Sequence, residues 1–92
     1  MKFRIQFRGA FPAALTRREL EVDAPQELTL ADVVGLIGHE VPELVGSVIR
    51  PDANSLRSPY AFMVNGRLYL DEYDRVVGTG DRIVVLTIPF GG

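Results

Sequence analysis

Apolar and polar residues alternate without a break over positions 2–8, with Phe3, Ile5 and Phe7 on one side and Lys2, Arg4, Gln6 and Arg8 on the other. Period two over this length predicts a half-buried strand. Residues 9–14, with Gly9 and Pro12, supply turn chemistry. Alternation then resumes over 18–23, with Leu20 and Val22 inward and Glu19, Glu21 and Asp23 outward. The two runs read as an N-terminal hairpin. Ala24-Pro25-Gln26-Glu27 breaks the pattern, and the period changes. Leu30, Val33, Val34 and Ile37 fall at i, i+3, i+4 and i+7, one face of a helix. Thr29 is placed to cap it, with Asp32 three residues later in a variant of the capping box. Gly38 and Pro42 limit the helix to an end between Gly38 and Val41. Leu44, Val48 and Ile49 are expected to close over the core, and 51–59 reads as a polar loop.

Residues 60–64 (Tyr-Ala-Phe-Met-Val) predict the next strand, and Asn65-Gly66 follows it. Both residues tolerate the positive φ angles of a type I′ turn, so residues 67–70 return as the hairpin partner. A connecting segment over 71–79 leads to a turn at Gly80-Asp81 and a final strand over 82–88. The order is ββαβ(β)β, without repeats. One helix among strands must cover one face of the sheet. The reading is therefore α+β: a β-grasp, or ubiquitin-like, mixed sheet with its first and last strands side by side in the centre. The 92 residues make a single domain over 1–92, with a tail at 89–92.

The final strand is apolar on both sides. If Ile83 and Val85 join Phe3, Ile5 and Phe7 in the core, then Val84, Leu86 and Ile88 lie on the face the helix leaves open, with Met63 beside them. Two readings compete. A central strand is often simply apolar, or covered by loops. Alternatively the row is an exposed patch, flanked by Arg4, Gln6 and Arg8, on which a partner docks.

Composition narrows the chemistry. The formal net charge of −2 is no nucleic-acid footprint, which needs a concentrated basic patch. There is no cysteine, which removes disulfides, thiolate nucleophiles, cysteine-ligated zinc and iron–sulfur clusters together. Charges interleave the opening residues, unlike a signal peptide, and the longest apolar stretch, 83–90, is interrupted by Thr87 and too short for a membrane span. A cytoplasmic protein is expected. His39 stands alone with no metal partner at useful spacing. Asp71, Glu72 and Asp74 read as a solvated turn, Asp52 and Asn54 lack the downstream ligands of a calcium loop, and Ser47, Ser55 and Ser58 lack a nucleophile elbow. No metal site and no catalytic constellation is expected.

The final strand runs straight into Pro89-Phe90-Gly91-Gly92. A carboxylate becomes an electrophile only when its oxygen is made a leaving group, and a terminus activated in a partner's narrow site needs residues without a Cβ. Gly91 and Gly92 meet that need, and Pro89 stiffens the base of the tail. Read alone, the dipeptide is more simply a frayed end. A central last strand would make it a tail presented from a rigid platform.

Over essentially its whole length the chain resembles the MoaD/ThiS family of ubiquitin-like sulfur carriers. The resemblance is carried by the opening alternating strand, Arg17-Arg18-Glu19-Leu20-Glu21-Val22, the helix from Thr29 to Ile37, and Val64-Asn65-Gly66-Arg67. It is strongest in Gly80-Asp81-Arg82-Ile83-Val84-Val85-Leu86, leading without a gap to Gly91-Gly92. It implies a carrier, not an enzyme, with no cofactor of its own. A MoeB/ThiF-type partner would adenylate Gly92 with ATP, and the product would become a thiocarboxylate that donates sulfur in cofactor biosynthesis. It further implies that the open sheet face docks the activating enzyme, or a large subunit such as that of molybdopterin synthase. Members of that synthase usually approach the tail through Phe-Pro-Pro, whereas this chain has Ile88-Pro89-Phe90. Its length and the long loop before Tyr60 nevertheless look more like the MoaD branch than the shorter ThiS branch. Two other readings remain: a modifier joined to lysines through Gly92, and a β-grasp binding module whose glycines are incidental.

Overall fold

The computed structural model describes residues 1–52 and 54–89. Seven strands, one α-helix and one 3-10 turn follow in the order β1 (Lys2–Arg8), β2 (Glu19–Asp23), β3 (Leu28–Thr29), α1 (Leu30–Glu40), the 3-10 turn (Pro42–Leu44), β4 (Tyr60–Val64), β5 (Arg67–Tyr69), β6 (Val76–Val77) and β7 (Ile83–Thr87). The main sheet has the order β2-β1-β7-β4-β5. β1 and β7 run parallel at its centre, and the other pairs are antiparallel. This is the expected mixed sheet, with first and last strands adjacent.

Alternation decides which face each side chain takes. Phe3, Ile5 and Phe7 of β1, Leu20 and Val22 of β2, Phe62 and Val64 of β4, and Ile83 and Val85 of β7 join Leu30, Val33, Val34 and Ile37 of α1 in one core. Leu44, Val48 and Ile49 close that core as expected, each nearly inaccessible. Leu56 is also buried, although it sits in a polar loop; its backbone N–H donates to the Tyr73 hydroxyl at 3.0 Å.

The helix starts where the sequence places it. The Asp32 N–H donates to Thr29 Oγ1 at 3.1 Å, and the Thr29 N–H donates to Asp32 Oδ2 at 3.0 Å, which completes the capping box. Initial N–H groups of a helix have no partner within it. Here Leu30 donates to the Arg75 carbonyl and Ala31 to the Tyr73 carbonyl, each at 3.0 Å. The segment before β7 is therefore not a plain connection: it feeds the helix start, and its Val76–Val77 pairs with Leu28–Thr29 in a separate two-stranded sheet. Thr29→Ala removes the side-chain half of the box, so urea denaturation should show a loss of about 1 kcal/mol. A loss under a few tenths would mean that the 73–75 carbonyls alone hold the helix start.

A second polar knot sits at the start of β7. Asn65 and Gly66 have φ angles of 52° and 84°, the I′ geometry of a two-residue hairpin. The Asn65 side chain then ties two turns together. Its Oδ1 accepts from the Arg82 N–H at 2.8 Å, and its Nδ2 donates to Asp81 Oδ1 at 2.8 Å. Asp81 Oδ2 in turn accepts from the Gly78 N–H at 2.8 Å. Donation from Gly78, then from Asn65, holds the Asp81 carboxyl below its ordinary value; the charge of Arg75 assists and partial burial opposes. A depressed folded pKa contributes stability that is fully present above the unfolded value of about 4 and is lost as pH falls through the folded one. Asp81→Asn should therefore cost about 1 kcal/mol at pH 6 and flatten the decline in stability below pH 4. Parallel pH–stability curves for variant and wild type would refute this account.

Candidate functional site

The face of the sheet away from the helix is assembled by register. Val84 of β7 pairs with Gln6 of β1 on one side and Met63 of β4 on the other, and Met63 pairs with Leu68 of β5. One step along, Leu86 lies between Arg8 and Ala61. Ile83 and Val85 belong to the core, so alternation puts Val84, Leu86 and Ile88 together on the open face. Met63 joins them. The sequence therefore places these residues on the side of the sheet away from the helix, where the register also puts them.

Exposure within this row is uneven. Leu86, Ile88 and Met63 are half-buried, whereas Val84 is only 2% exposed. The expectation that Val84 offers open surface is corrected on this point. Its short branched side chain stands between the longer Gln6 and Met63 on the neighbouring strands. Val84 forms the floor of the patch, and Met63, Leu86 and Ile88 form its walls. Leu68, 42% exposed, extends the patch to the sheet edge. Sequence reading left Leu68 out. The signal was present, because a two-residue turn at Asn65-Gly66 pairs Met63 with Leu68 and so places both on one face.

The polar flank also differs from the simple expectation. Arg4 is engaged with Glu19 at 3.1 Å and Glu21 at 3.6 Å, and Lys2 with Glu21 at 3.6 Å. These exposed pairs contribute little stability, but they neutralise that end of the flank. Gln6 is half-buried. Arg8, beside Leu86, forms no ion pair among the described residues.

The base of the tail is fixed. The Ile88 N–H donates to the Pro59 carbonyl at 2.8 Å, and Gly9 at the end of β1 lies against Thr87. Phe11 packs edge-on to Phe7 at 5.4 Å and on Tyr60 at 5.0 Å, and the Tyr60 hydroxyl donates to the Ala10 carbonyl at 2.8 Å. Pro89 is exposed beyond this collar. Phe90, Gly91 and Gly92, the other tail positions singled out in the sequence, lie outside the described residues.

Among the described residues no group of three His, Cys, Asp or Glu side chains is placed to hold a metal ion. No helix among them is long and apolar enough to cross a membrane. The arrangement supplies an apolar surface and a rigid exit for the chain end.

No protein-family model matches the chain, and no curated protein matches it by sequence. Solved structures do match. SAMP1 of Haloferax volcanii superposes with a TM-score of 0.79 over 100% of both chains at 17% identity. A candidate molybdopterin converting factor subunit 1 from Pyrococcus furiosus gives 0.69 at 21% identity, over 96% of this chain and 98% of its own. Urm1 of Sulfolobus solfataricus gives 0.66 at 18% identity, over 92% and 99%. With its five-stranded sheet, parallel central pair and single helix, the chain has the β-grasp, ubiquitin-like fold of these small proteins.

Proposed function

We propose that this protein is a sulfur carrier whose Gly92 carboxylate is the reactive group. A MoeB/ThiF-type enzyme would bind the open face and draw the tail into its active site. There a Gly92 oxygen attacks the α-phosphorus of ATP, and pyrophosphate leaves. Hydrosulfide then attacks the acyl carbon and AMP leaves, giving the thiocarboxylate. The carrier itself catalyses nothing and keeps no cofactor. It presents one carbon atom, delivering sulfur to an acceptor such as the large subunit of a molybdopterin-type synthase.

One observation carries this reading. The strand that carries Leu86 at the centre of the apolar patch leads through Ile88 into Pro89, and the Ile88 amide just beyond the strand is fastened to Pro59. A partner that grips the patch therefore also aims the tail, a rigid support for the reacting group. Intact-mass measurement on protein from its native cell tests the proposal. A species heavier by about 16 Da, oxygen replaced by sulfur, is expected, and its loss on Gly92 deletion locates it.

A second reading is favoured by the likeness to SAMP1, another structure of which is described as a small archaeal modifier protein. The same adenylate could pass Gly92 to lysine amines, forming an isopeptide bond. Conjugate ladders that vanish with Gly92, without the sulfur-bearing species, would select it. If neither species nor ladder forms, a binding module remains.

A further inference from the structure

We propose that Arg8, Arg17 and Arg18 form a receiving site for acidic side chains of the protein that processes the tail, an inference resting on the carrier reading. The overall charge of the chain is −2, yet its cations are unequally satisfied along the first hairpin. Lys2 and Arg4, at the far end, are held by Glu19 and Glu21. At the tail end Arg8, Arg17 and Arg18 have no carboxylate partner among the described residues, and all are exposed. They line one open concavity of about 770 Å³, whose other wall includes Gln6 and the already engaged Glu19 and Glu21.

Position and order make this more than a solvated face. Arg8 is the direct neighbour of Leu86, and the next residue, Gly9, lies against Thr87 at the base of the tail. Arg18 is pre-set: its Nη1 donates to the Gly9 carbonyl at 2.9 Å, and its guanidinium lies over the Phe11 ring at 5.6 Å. The remaining donors of its fork stay available for a carboxylate. Such a site adjoins the apolar patch directly, as a charged rim adjoins an apolar interface centre. This favours an acidic protein surface over a free phosphate. The concavity is open, and it has neither a glycine-rich cradle nor a helix N-terminus to enclose a phosphate.

Nuclear magnetic resonance titration of the full chain with a hexaglutamate peptide tests the site directly. Amide and side-chain shifts should concentrate at Arg8, Arg17 and Arg18, exceed those at Arg67 and Arg75, which are also exposed, and fade in about 0.5 M salt. They should vanish in Arg8→Glu/Arg17→Glu, which leaves the Arg18–Gly9 bond in place. Equal shifts at Arg67 and Arg75, or shifts that survive charge reversal, would overturn the inference. So would ATP shifting the three arginines while the peptide does not. In the native cell, Arg8→Glu/Arg17→Glu should lower the sulfur-bearing fraction about tenfold, and Arg8→Lys/Arg17→Lys should retain most of it. A loaded wild type with an equally loaded reversal variant sinks the docking role and leaves the carrier reading standing. A wild type that is never loaded sinks the carrier reading instead, and with it the tail-processing partner, while the titration still decides whether the arginines take acidic groups.

Discussion

Gly9→Ala is expected to lower stability by about 3 kcal/mol. Two independent effects sum to that figure. Gly9 has φ +104°, a region that L side chains rarely adopt, which costs about 1–2 kcal/mol. In addition, a Cβ built there would run into Thr87 Oγ1, far inside contact distance, and overpacking of this kind costs about 1–3 kcal/mol. For a domain of this length such a loss corresponds to a fall in Tm of roughly 12–24 °C. The two causes can be separated. Adding Thr87→Ala removes the obstructing hydroxyl, so Gly9→Ala/Thr87→Ala should recover about half the loss and leave the φ penalty. If Gly9→Ala unfolds within 0.5 kcal/mol of wild type, the close junction of β1 and β7 at the base of the tail is not as described.

Elements with a long, regular pattern were legible in the sequence. The alternation of 2–8 and the helical spacing of Leu30, Val33, Val34 and Ile37 each repeat often enough to identify both the element and its buried face. The Asn65-Gly66 turn and the Thr29–Asp32 cap were legible for a different reason, since each is local chemistry that needs no distant partner. Val76–Val77 was not. Two residues carry no period, and what makes them a strand is pairing with Leu28–Thr29 far along the chain. Leu56 was hidden similarly, a buried lone apolar residue among turn formers whose backbone N–H finds its partner in the distant Tyr73 hydroxyl.

The candidate site divides along the same line. Alternation places Val84, Leu86, Ile88 and Met63 on the open face, but exposure depends on the cross-strand neighbours, so the burial of Val84 required the register. The pairing of Arg4 with Glu19 and Glu21 likewise follows from alignment of the hairpin, and Arg8, Arg17 and Arg18 at its other end have no carboxylate partner among the described residues.

Leu86→Asp should cut the sulfur-bearing fraction of the protein by about 30-fold or more while leaving the fold intact. Leu86 is half-buried, lies outside the helix-side core and is flanked by Ala61 and Arg8, so its carboxylate variant keeps access to water and should cost only about 1 kcal/mol of stability. In a complex it would be enclosed. Interface positions at the centre of an apolar patch contribute about 2–4 kcal/mol when truncated, and an unpaired buried charge adds to that, so docking weakens by at least the factor stated. Leu68→Asp provides the graded comparison. It lies at the sheet edge, 42% exposed, where a rim substitution should reduce loading by less than about fivefold. The order Leu86 far above Leu68, with circular dichroism melts close to wild type for both, is the signature of a face gripped at the strand that carries the tail. Equal loading in all three proteins would mean that the partner reaches Gly92 without using this face, and the apolar row of β7 would then be a property of a central strand and nothing more.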